Sequence, residues 1–328
     1  MTEPPPMQPF VVARGAGPAL DRLRGAVVAI GNFDGVHRGH QAVIGAALSR
    51  ARATHRPAAA LTFEPHPRSF FQPDAASFRL TSEAAKLRLL AATGLDGAIM
   101  LSFDAALAGL TAEQFVADIL DDRLAIRGAA IGFNFHFGKE RRGSPLFLEA
   151  QGAIRGFTVD VVPPFQHEGR RVSSGAVRDA LAAGHVTEAA ELLGYPYFVT
   201  AQVVHGDKRG RELGYPTANL RLGPDCGLKH GIYAVRVGVG GVRYGGVASF
   251  GRRPMFDTGA VLLEVFLFDF SGDLYGAALD VAFIGWIRPE MNFASVEELI
   301  RRMDDDARHA RTALARAPDA FPVLGVPA

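Results

Sequence analysis

A change of rhythm near residue 194 divides this chain and limits the folds open to it. Before that point, short apolar runs alternate with amphipathic stretches. Ala26 to Ile30, Ala58 to Phe63, Gly97 to Leu101, Ala129 to Phe133 and Phe157 to Val162 read as strands. Apolar residues at consecutive positions belong to strands covered on both faces. Between them, Val43, Ile44, Ala47, Leu48 and Ala51 share one helical face. A second helix opens at Thr81 and reaches Gly94, and Thr111 with Gln114 spells a capping box ahead of a third. This alternation predicts a parallel sheet wrapped by helices, with ligands at the carboxyl ends of the strands. Beyond Gly194, Phe198 to Val204, Gly231 to Val237, Val242 to Ala248, Val261 to Phe270 and Leu279 to Phe283 follow one another with no helix between them. That pattern predicts an antiparallel sheet or small closed barrel. One helix, capped by Ser295 and Glu298, closes it. We expect domains at 1–184 and 185–312, followed by a tail at 313–328. With 328 residues, 48% of them hydrophobic, the chain can build both cores.

Charge narrows the partners. Lys and Arg number 35 against 34 Asp and Glu, a net charge of +1. No broad field attracts nucleic acid or an anionic membrane, so any anion site is local. The single cysteine, Cys226, excludes an intramolecular disulfide framework and fits a reducing cytoplasm; it lies outside every motif and reads as a packing position. Met1 to Pro6 has neither the basic start nor the apolar centre of a leader, and no stretch approaches the roughly 20 apolar residues that span a bilayer. The expectation is a cytoplasmic monomer or weak homo-oligomer that engages neither nucleic acid nor membrane.

Two strings carry chemistry. The first, Gly31-Asn32-Phe33-Asp34-Gly35-Val36-His37-Arg38-Gly39-His40, follows the first strand. Its glycines let backbone N–H groups approach a phosphate. His37 and His40, three apart at the mouth of a helix, can face one ligand and donate to charge developing on a phosphoryl group. The alternative is a glycine-rich turn with two solvated histidines; zinc lacks a third ligand at helical spacing. The second string runs from Gly206, Asp207, Gly210 and Arg211 through Gly214 to Tyr215-Pro216-Thr217-Ala218-Asn219. Its glycine-bounded basic loop can drape over phosphates. Thr217 and Asn219 project the same way from an extended segment, and their oxygens suit Mg²⁺ bridging to ATP. Taken alone, Pro-Thr-Ala-Asn reads as a turn. Glu264 stands in a run with apolar residues on both alternating faces. Burial there raises a carboxyl pKa and suits a base for a hydroxyl nucleophile; the alternative is an edge-strand glutamate facing solvent.

The ten-residue string resembles the HxGH motif of the nucleotidylyltransferase superfamily, in the form carried by bacterial bifunctional riboflavin kinase/FMN adenylyltransferases, or FAD synthetases. The resemblance continues through Phe63-Glu64-Pro65-His66-Pro67, Gly132 to Lys139 and Val172 to Arg178, with Gly175 where a threonine is common. The Pro-Thr-Ala-Asn string, Glu264, Gly231-Ile232-Tyr233-Ala234 and Ile287-Arg288-Pro289-Glu290 resemble riboflavin kinase, with Met255 where that pattern usually has threonine. What the resemblance implies is a Rossmann-like nucleotidylyltransferase domain, then a mostly β riboflavin-kinase barrel with a C-terminal helix. It implies conversion of riboflavin to FMN and then FAD, with ATP and Mg²⁺.

By the same resemblance, His37 and His40 serve the transition state of adenylyl transfer, and Gly31, Asn32, Phe33, Asp34, Gly35 and Gly39 line its nucleotide. Asn134 contacts flavin phosphate or ribose, while Ser173, Ser174 and Arg178 hold the triphosphate. In the second site Gly206, Asp207, Gly210, Arg211 and Gly214 hold nucleotide or flavin, Thr217 and Asn219 hold the metal, and Glu264 is the base. Lys139, Arg141 and Arg142 read equally as a phosphate clamp or as solvated charges. Two alternatives stand beside this: a riboflavin kinase with an impaired adenylyltransferase domain, supported by Gly175, and a non-catalytic flavin-binding regulator, which the retained site residues oppose.

Overall fold

A computed structural model describes residues 9–72, 78–205, 214–223, 225–252, 261–317 and 319–327. The chain folds as two compact units. One comprises Met1–Ser77, Thr81–Val172 and Val323–Ala328; the other comprises Phe78–Leu80 and Ser173–Pro322.

The first unit is built on strands β1 (Val11–Ala13), β2 (Val27–Ile30), β3 (Ala58–Glu64), β4 (Gly97–Ser102), β5 (Gly128–Gly132) and β6 (Thr158–Val162). They form one all-parallel sheet in the order β1-β4-β3-β2-β5-β6. Every residue of β2 is buried, as its unbroken apolar run requires. Chain order reverses at β2, between β3 and β5, and such a switch point opens the crevice where ligands of parallel sheets bind. Helix Arg38–Ala53 leaves this end of β2 and buries Val43, Ile44, Ala47 and Ala51. Val28, Ile30, Leu61, Ile99 and Ile131 of the sheet share a core with Val116, Leu120 and Leu124. At edge strand β6, the Asp160 carboxylate receives both prongs of Arg50, at 3.0 and 2.6 Å.

Local signals were realised with differences. The Thr111–Gln114 box forms in both directions, at 3.2 and 2.9 Å. It leads into a π-helix, Phe115–Arg123, rather than an α-helix, with Leu124 N–H reaching back five residues to Ile119 O at 3.0 Å. The helix expected from Thr81 starts at Glu83 and is capped by Ser82, while Thr81 is buried and bonds elsewhere. Strand β1 escaped sequence reading because three residues are too short to display a pattern.

After a short hairpin, β7 (Gln166–His167) and β8 (Arg170–Arg171), the second unit opens with helices Ser174–Ala183 and Val186–Leu193. Strands β9 (Phe198–Val204), β10 (Thr217–Leu222), β11 (Gly231–Val239), β12 (Val242–Arg252), β13 (Val261–Leu267) and β14 (Ala278–Arg288) follow. They close into an antiparallel barrel in the order β10-β13-β12-β11-β14-β9. Along β13, Val261, Leu263, Val265 and Leu267 are buried while the residues between them are half-buried. Period-two alternation thus sends the odd positions inward, against Leu220, Ala248 and Phe250 of the paired strands.

The C-terminal helix, Val296–Arg316, covers part of the barrel's outer surface, setting Ala310 and Leu314 against Ala234 and Phe268. Ser295 caps it, but the Glu298 carboxylate takes the Ala294 N–H at 3.0 Å instead of completing the expected box on Ser295. Arg288 of β14 fastens the helix by gripping Asp306 at 2.8 and 2.6 Å, with the two side chains 10% and 5% exposed. Removing one partner of such a pair strands the other charge in a dry setting. Asp306→Ala is therefore expected to destabilise the second unit by about 3–5 kcal/mol. Asp305→Ala, which breaks only exposed pairs, is expected to cost under about 1 kcal/mol. Denaturant unfolding of the two variants measures the contrast.

Candidate active sites

The turn from β2 into helix Arg38–Ala53 is held by its own side chains. Phe33 and Val36 adopt positive φ angles of 50° and 36°, which non-glycine residues keep only when their surroundings impose them. Phe33 is fully buried, and its ring lies so near Gly31 that a Cβ there would stand 3.3 Å from the ring. Asp34 is buried and accepts the Thr81 N–H at 3.1 Å and the Thr81 hydroxyl at 3.4 Å; the same hydroxyl accepts from Gly35 N–H at 3.2 Å. Across the strand pair, the Thr62 hydroxyl donates to the Asn32 carbonyl at 3.2 Å.

This frame presents the two histidines. His37 is the N-cap of the helix, and its Nδ1 accepts the His40 backbone N–H at 3.2 Å. Nδ1 is thereby an acceptor, so a neutral His37 carries its proton on Nε2. The rings of His37 and His40 stack with centroids 3.6 Å apart, and Phe33 meets His40 edge-on at 5.3 Å. A Cβ at Gly39 would sit 3.1 Å from the His37 ring, so only glycine leaves that stack undisturbed. His40 is half-buried as a residue, yet its Nδ1 is enclosed and meets no hydrogen-bond partner among the described residues. Burial, the adjacent His37 and the cation of Lys86 together hold His40 well below the ordinary histidine value of 6.5. Two stacked imidazoles and a set of backbone N–H groups at a helix N-terminus suit an anionic ligand.

Asn134 lies just past β5, exposed at the same end of the sheet, with its carbonyl 3.1 Å from His136 Nδ1. Within the Lys139–Arg142 run, Arg142 pairs with Glu140 at 2.7 Å with both side chains exposed. Ser173 caps helix Ser174–Ala183 in the second unit, accepting from Ala176 N–H at 3.1 Å, while Arg178 Nε donates to the Phe78 carbonyl at 2.6 Å. A Cβ at Gly175 would meet only Ser173 Oγ, at 3.6 Å, so the site has room for the common threonine.

The second cluster lies on the outer wall of the barrel. Asn219 of β10, Glu264 of β13 and Ser249 of β12 are register partners, forming one row across three strands. Thr217 and Phe266 occupy the adjoining row. Glu264 is thus on an interior strand of the sheet, paired on both sides, which rules out the edge-strand alternative. Apolar neighbours stand on both faces of the strand, as expected: Leu263 and Val265 point into the barrel, and Leu262 and Phe266 flank Glu264 on the outer face. Asn219 is buried and its Nδ2 donates to the Thr217 carbonyl at 3.4 Å. The Tyr215 ring packs on Phe266 at 4.9 Å and its hydroxyl donates to Asp304 of the C-terminal helix. Burial, then that bond, pushes the Tyr215 phenol up to about 12. Gly214 begins this segment with φ 80°; Gly206, Asp207, Gly210 and Arg211 lie outside the described residues.

Three residues at these clusters escaped sequence reading. Thr81 resembled a helix cap. Lys86 lies in a helix and belongs to no motif. Ser249 sat in a strand without any motif, and only register brings it beside Glu264.

Residues 20–176 match the FAD synthetase family model and residues 193–314 the riboflavin kinase model. A bifunctional riboflavin kinase/FMN adenylyltransferase from Pseudomonas fluorescens is 43% identical over 305 residues, covering 93% of this chain and 98% of that protein. This chain belongs to the bifunctional riboflavin kinase/FMN adenylyltransferase family. The Escherichia coli K12 member is 41% identical over 288 residues, 88% of this chain and 92% of its own length. A crystal structure described as a macrolide-efflux protein from Streptococcus pneumoniae superimposes with a TM-score of 0.79 at 31% identity, covering 88% of this chain and 94% of that one. Among the described residues of this family member, no helix is long and apolar enough to cross a membrane. The parallel-sheet unit followed by a barrel and a final helix is the architecture expected from the sequence.

The enclosure of His40 has a measurable result. NMR titration of the imidazole resonances is expected to find His40 still neutral where a free histidine takes up its proton. A midpoint at the ordinary value refutes the geometry.

Proposed function

We propose that this protein phosphorylates riboflavin to FMN at the barrel cluster and adenylylates FMN to FAD at the histidine cluster, using ATP in both steps. One observation carries the reading: each matched family segment holds its own cluster of phosphate-suited groups, His37 with His40 in one and Thr217, Asn219 and Glu264 in the other.

In the kinase step, the riboflavin 5′-hydroxyl attacks the γ-phosphorus of ATP. The new O–P bond forms as the bond to the β–γ bridging oxygen breaks, ADP leaves, and Glu264 takes the hydroxyl proton. It stands half-buried on the barrel wall between Leu262 and Phe266, and a carboxylate within reach of the hydroxyl can act as the base. Thr217 Oγ1 and Asn219 Oδ1 are hard oxygen donors on one face of β10, and the described residues contain no group of three or more His, Cys, Asp or Glu that could hold a metal alone. Such a donor set fits Mg²⁺ shared with substrate phosphates rather than caged by protein. When bound, Mg²⁺ supplies charge neutralisation of the phosphates. The Gly206, Asp207, Gly210, Arg211 and Gly214 segment is assigned to cover the phosphates.

In the adenylyl step, a phosphate oxygen of FMN attacks the α-phosphorus of ATP and pyrophosphate leaves. FMN phosphate is already ionised, so no base is required; positioning and charge stabilisation carry the rate. His37 and His40 donate from Nε2 to the α-phosphate as charge develops. Asn134 is assigned to the flavin phosphate or ribose, and Ser173, Ser174 and Arg178 to the triphosphate. The lone Cys226 agrees with a cytoplasmic setting.

His37→Ala is expected to lower FAD formation at least about a hundredfold, while riboflavin phosphorylation stays within about twofold of normal. Chromatography of products from FMN plus ATP, and from riboflavin plus ATP, separates the two rates; equal loss of both sinks the two-site reading. Glu264→Ala is expected to do the reverse, stopping FMN formation and sparing conversion of supplied FMN to FAD. A normal kinase rate in that variant removes Glu264 as the base.

A further inference from the structure

Helix Glu83–Ala91 buries Ala85, Leu87, Leu89 and Leu90, and among them a charge, Lys86, only 2% exposed. A buried ammonium costs several kcal/mol of lost hydration unless partners compensate. Lys86 Nζ donates to Glu64 Oε2 at 3.0 Å and to the Phe63 carbonyl at 3.3 Å. Both acceptors end strand β3. Because Ile30 of β2 pairs with Leu61 of β3, and the Thr62 hydroxyl reaches the Asn32 carbonyl, Phe63 and Glu64 lie alongside the turn that carries the histidines. The ammonium is therefore held at the carboxyl edge of the sheet, beside the switch point. Packing alone does not call for it, since apolar residues of similar volume generally replace a buried ion pair at little cost or with a gain.

We propose that Lys86 is a positioning residue for adenylyl transfer, whose fixed charge, set between Glu64 and Phe63, creates the field in which the His37–His40 pair meets the phosphate. The inference rests on the assignment of that pair to adenylyl transfer. Lys86 does not touch substrate in this account; it acts through His40. Among the described residues, the charges that act on His40 are His37 of its own turn and Lys86 of the neighbouring helix; the carboxylates of Asp34, on that turn, and Glu64, at the end of β3, are each bonded to another side chain. Asp34 is engaged by Thr81, and Lys86 is one of the groups that hold His40 low. A cation beside an imidazole disfavours a second positive charge. A lowered His40 stays a neutral donor until the pH falls through its own midpoint, so removing Lys86 raises that midpoint and brings the loss of activity to higher pH.

The test is the double variant Lys86→Met/Glu64→Gln, which removes the field without leaving a lone charge. FAD formation from FMN and ATP is followed from mildly acidic to mildly alkaline pH, with circular dichroism and denaturant unfolding as the control for folding of the first unit. The expected result is a roughly tenfold lower FAD rate near neutrality and an acid limb moved upward by about one pH unit. An acid limb left in place, whatever the rate, shows a merely structural pair and overturns the proposal. Should the double variant fail to fold, Lys86→Arg decides: retention of the wild-type acid limb supports a role for charge, and a displaced limb refutes it. His37→Ala distinguishes the two levels. If that variant still makes FAD, the site reading itself is wrong; if it does not, an unmoved limb in the Lys86 variants overturns this inference alone.

Discussion

Asp34 is the buried carboxylate on which the first site depends. Desolvating it is tolerable because Thr81 meets it with both a backbone N–H and a hydroxyl, and the same hydroxyl also receives Gly35 N–H. That junction fixes a turn containing two positive-φ residues, Phe33 and Val36, which would otherwise relax. With the turn fixed, His37 lands at the helix N-cap, a place usually taken by Ser, Thr, Asp or Asn. Cap and tautomer are then set by one contact. The bond from His40 N–H to His37 Nδ1 both satisfies an orphan helix donor and sets the tautomer that leaves Nε2 as the outward donor.

The second site depends on register instead. Alternation sends Leu263 and Val265 into the barrel, so Glu264 must face out. Pairing on both sides then dictates its neighbours, Asn219 and Ser249. A slip of one residue in β13 would bury the carboxylate in the barrel interior and expose leucine and valine in its place. Arg288 and Asp306 hold the C-terminal helix to the same wall, and Tyr215 ties the Pro-Thr-Ala-Asn strand to that helix through Asp304.

Much of this was legible in the sequence, for reasons that can be named. Doubly covered strands write themselves as unbroken apolar runs, so β2 to β5 were placed nearly to the residue. The Thr111 box is local and formed as read. Residues defined only by tertiary packing were hidden. Lys86 carries no local sign that Glu64 will meet it, and Thr81 precedes a serine that proved the better cap. Strand β10 alternates Thr217, Asn219 and Arg221 with Ala218, Leu220 and Leu222, but it is short and follows a glycine-rich stretch that ends in Pro216, so only an extended segment was legible there. Glu264 stands out because both faces of its strand are apolar, and on the outer face Phe266 packs against the cluster that the C-terminal helix forms with the barrel.

The two sheets also differ in how they end. A closed barrel has no unpaired border, so it offers no template to a foreign strand. The parallel sheet has two, and each is guarded. On one side lies a strand of only three residues, and the residue before it, Phe10, forms a bridge with Pro327. On the other, β6 carries Asp160 locked to Arg50, placing paired charge where self-association would begin. Protection from aggregation is thus written into the rims of the parallel sheet, apart from the turn that carries His37 and His40.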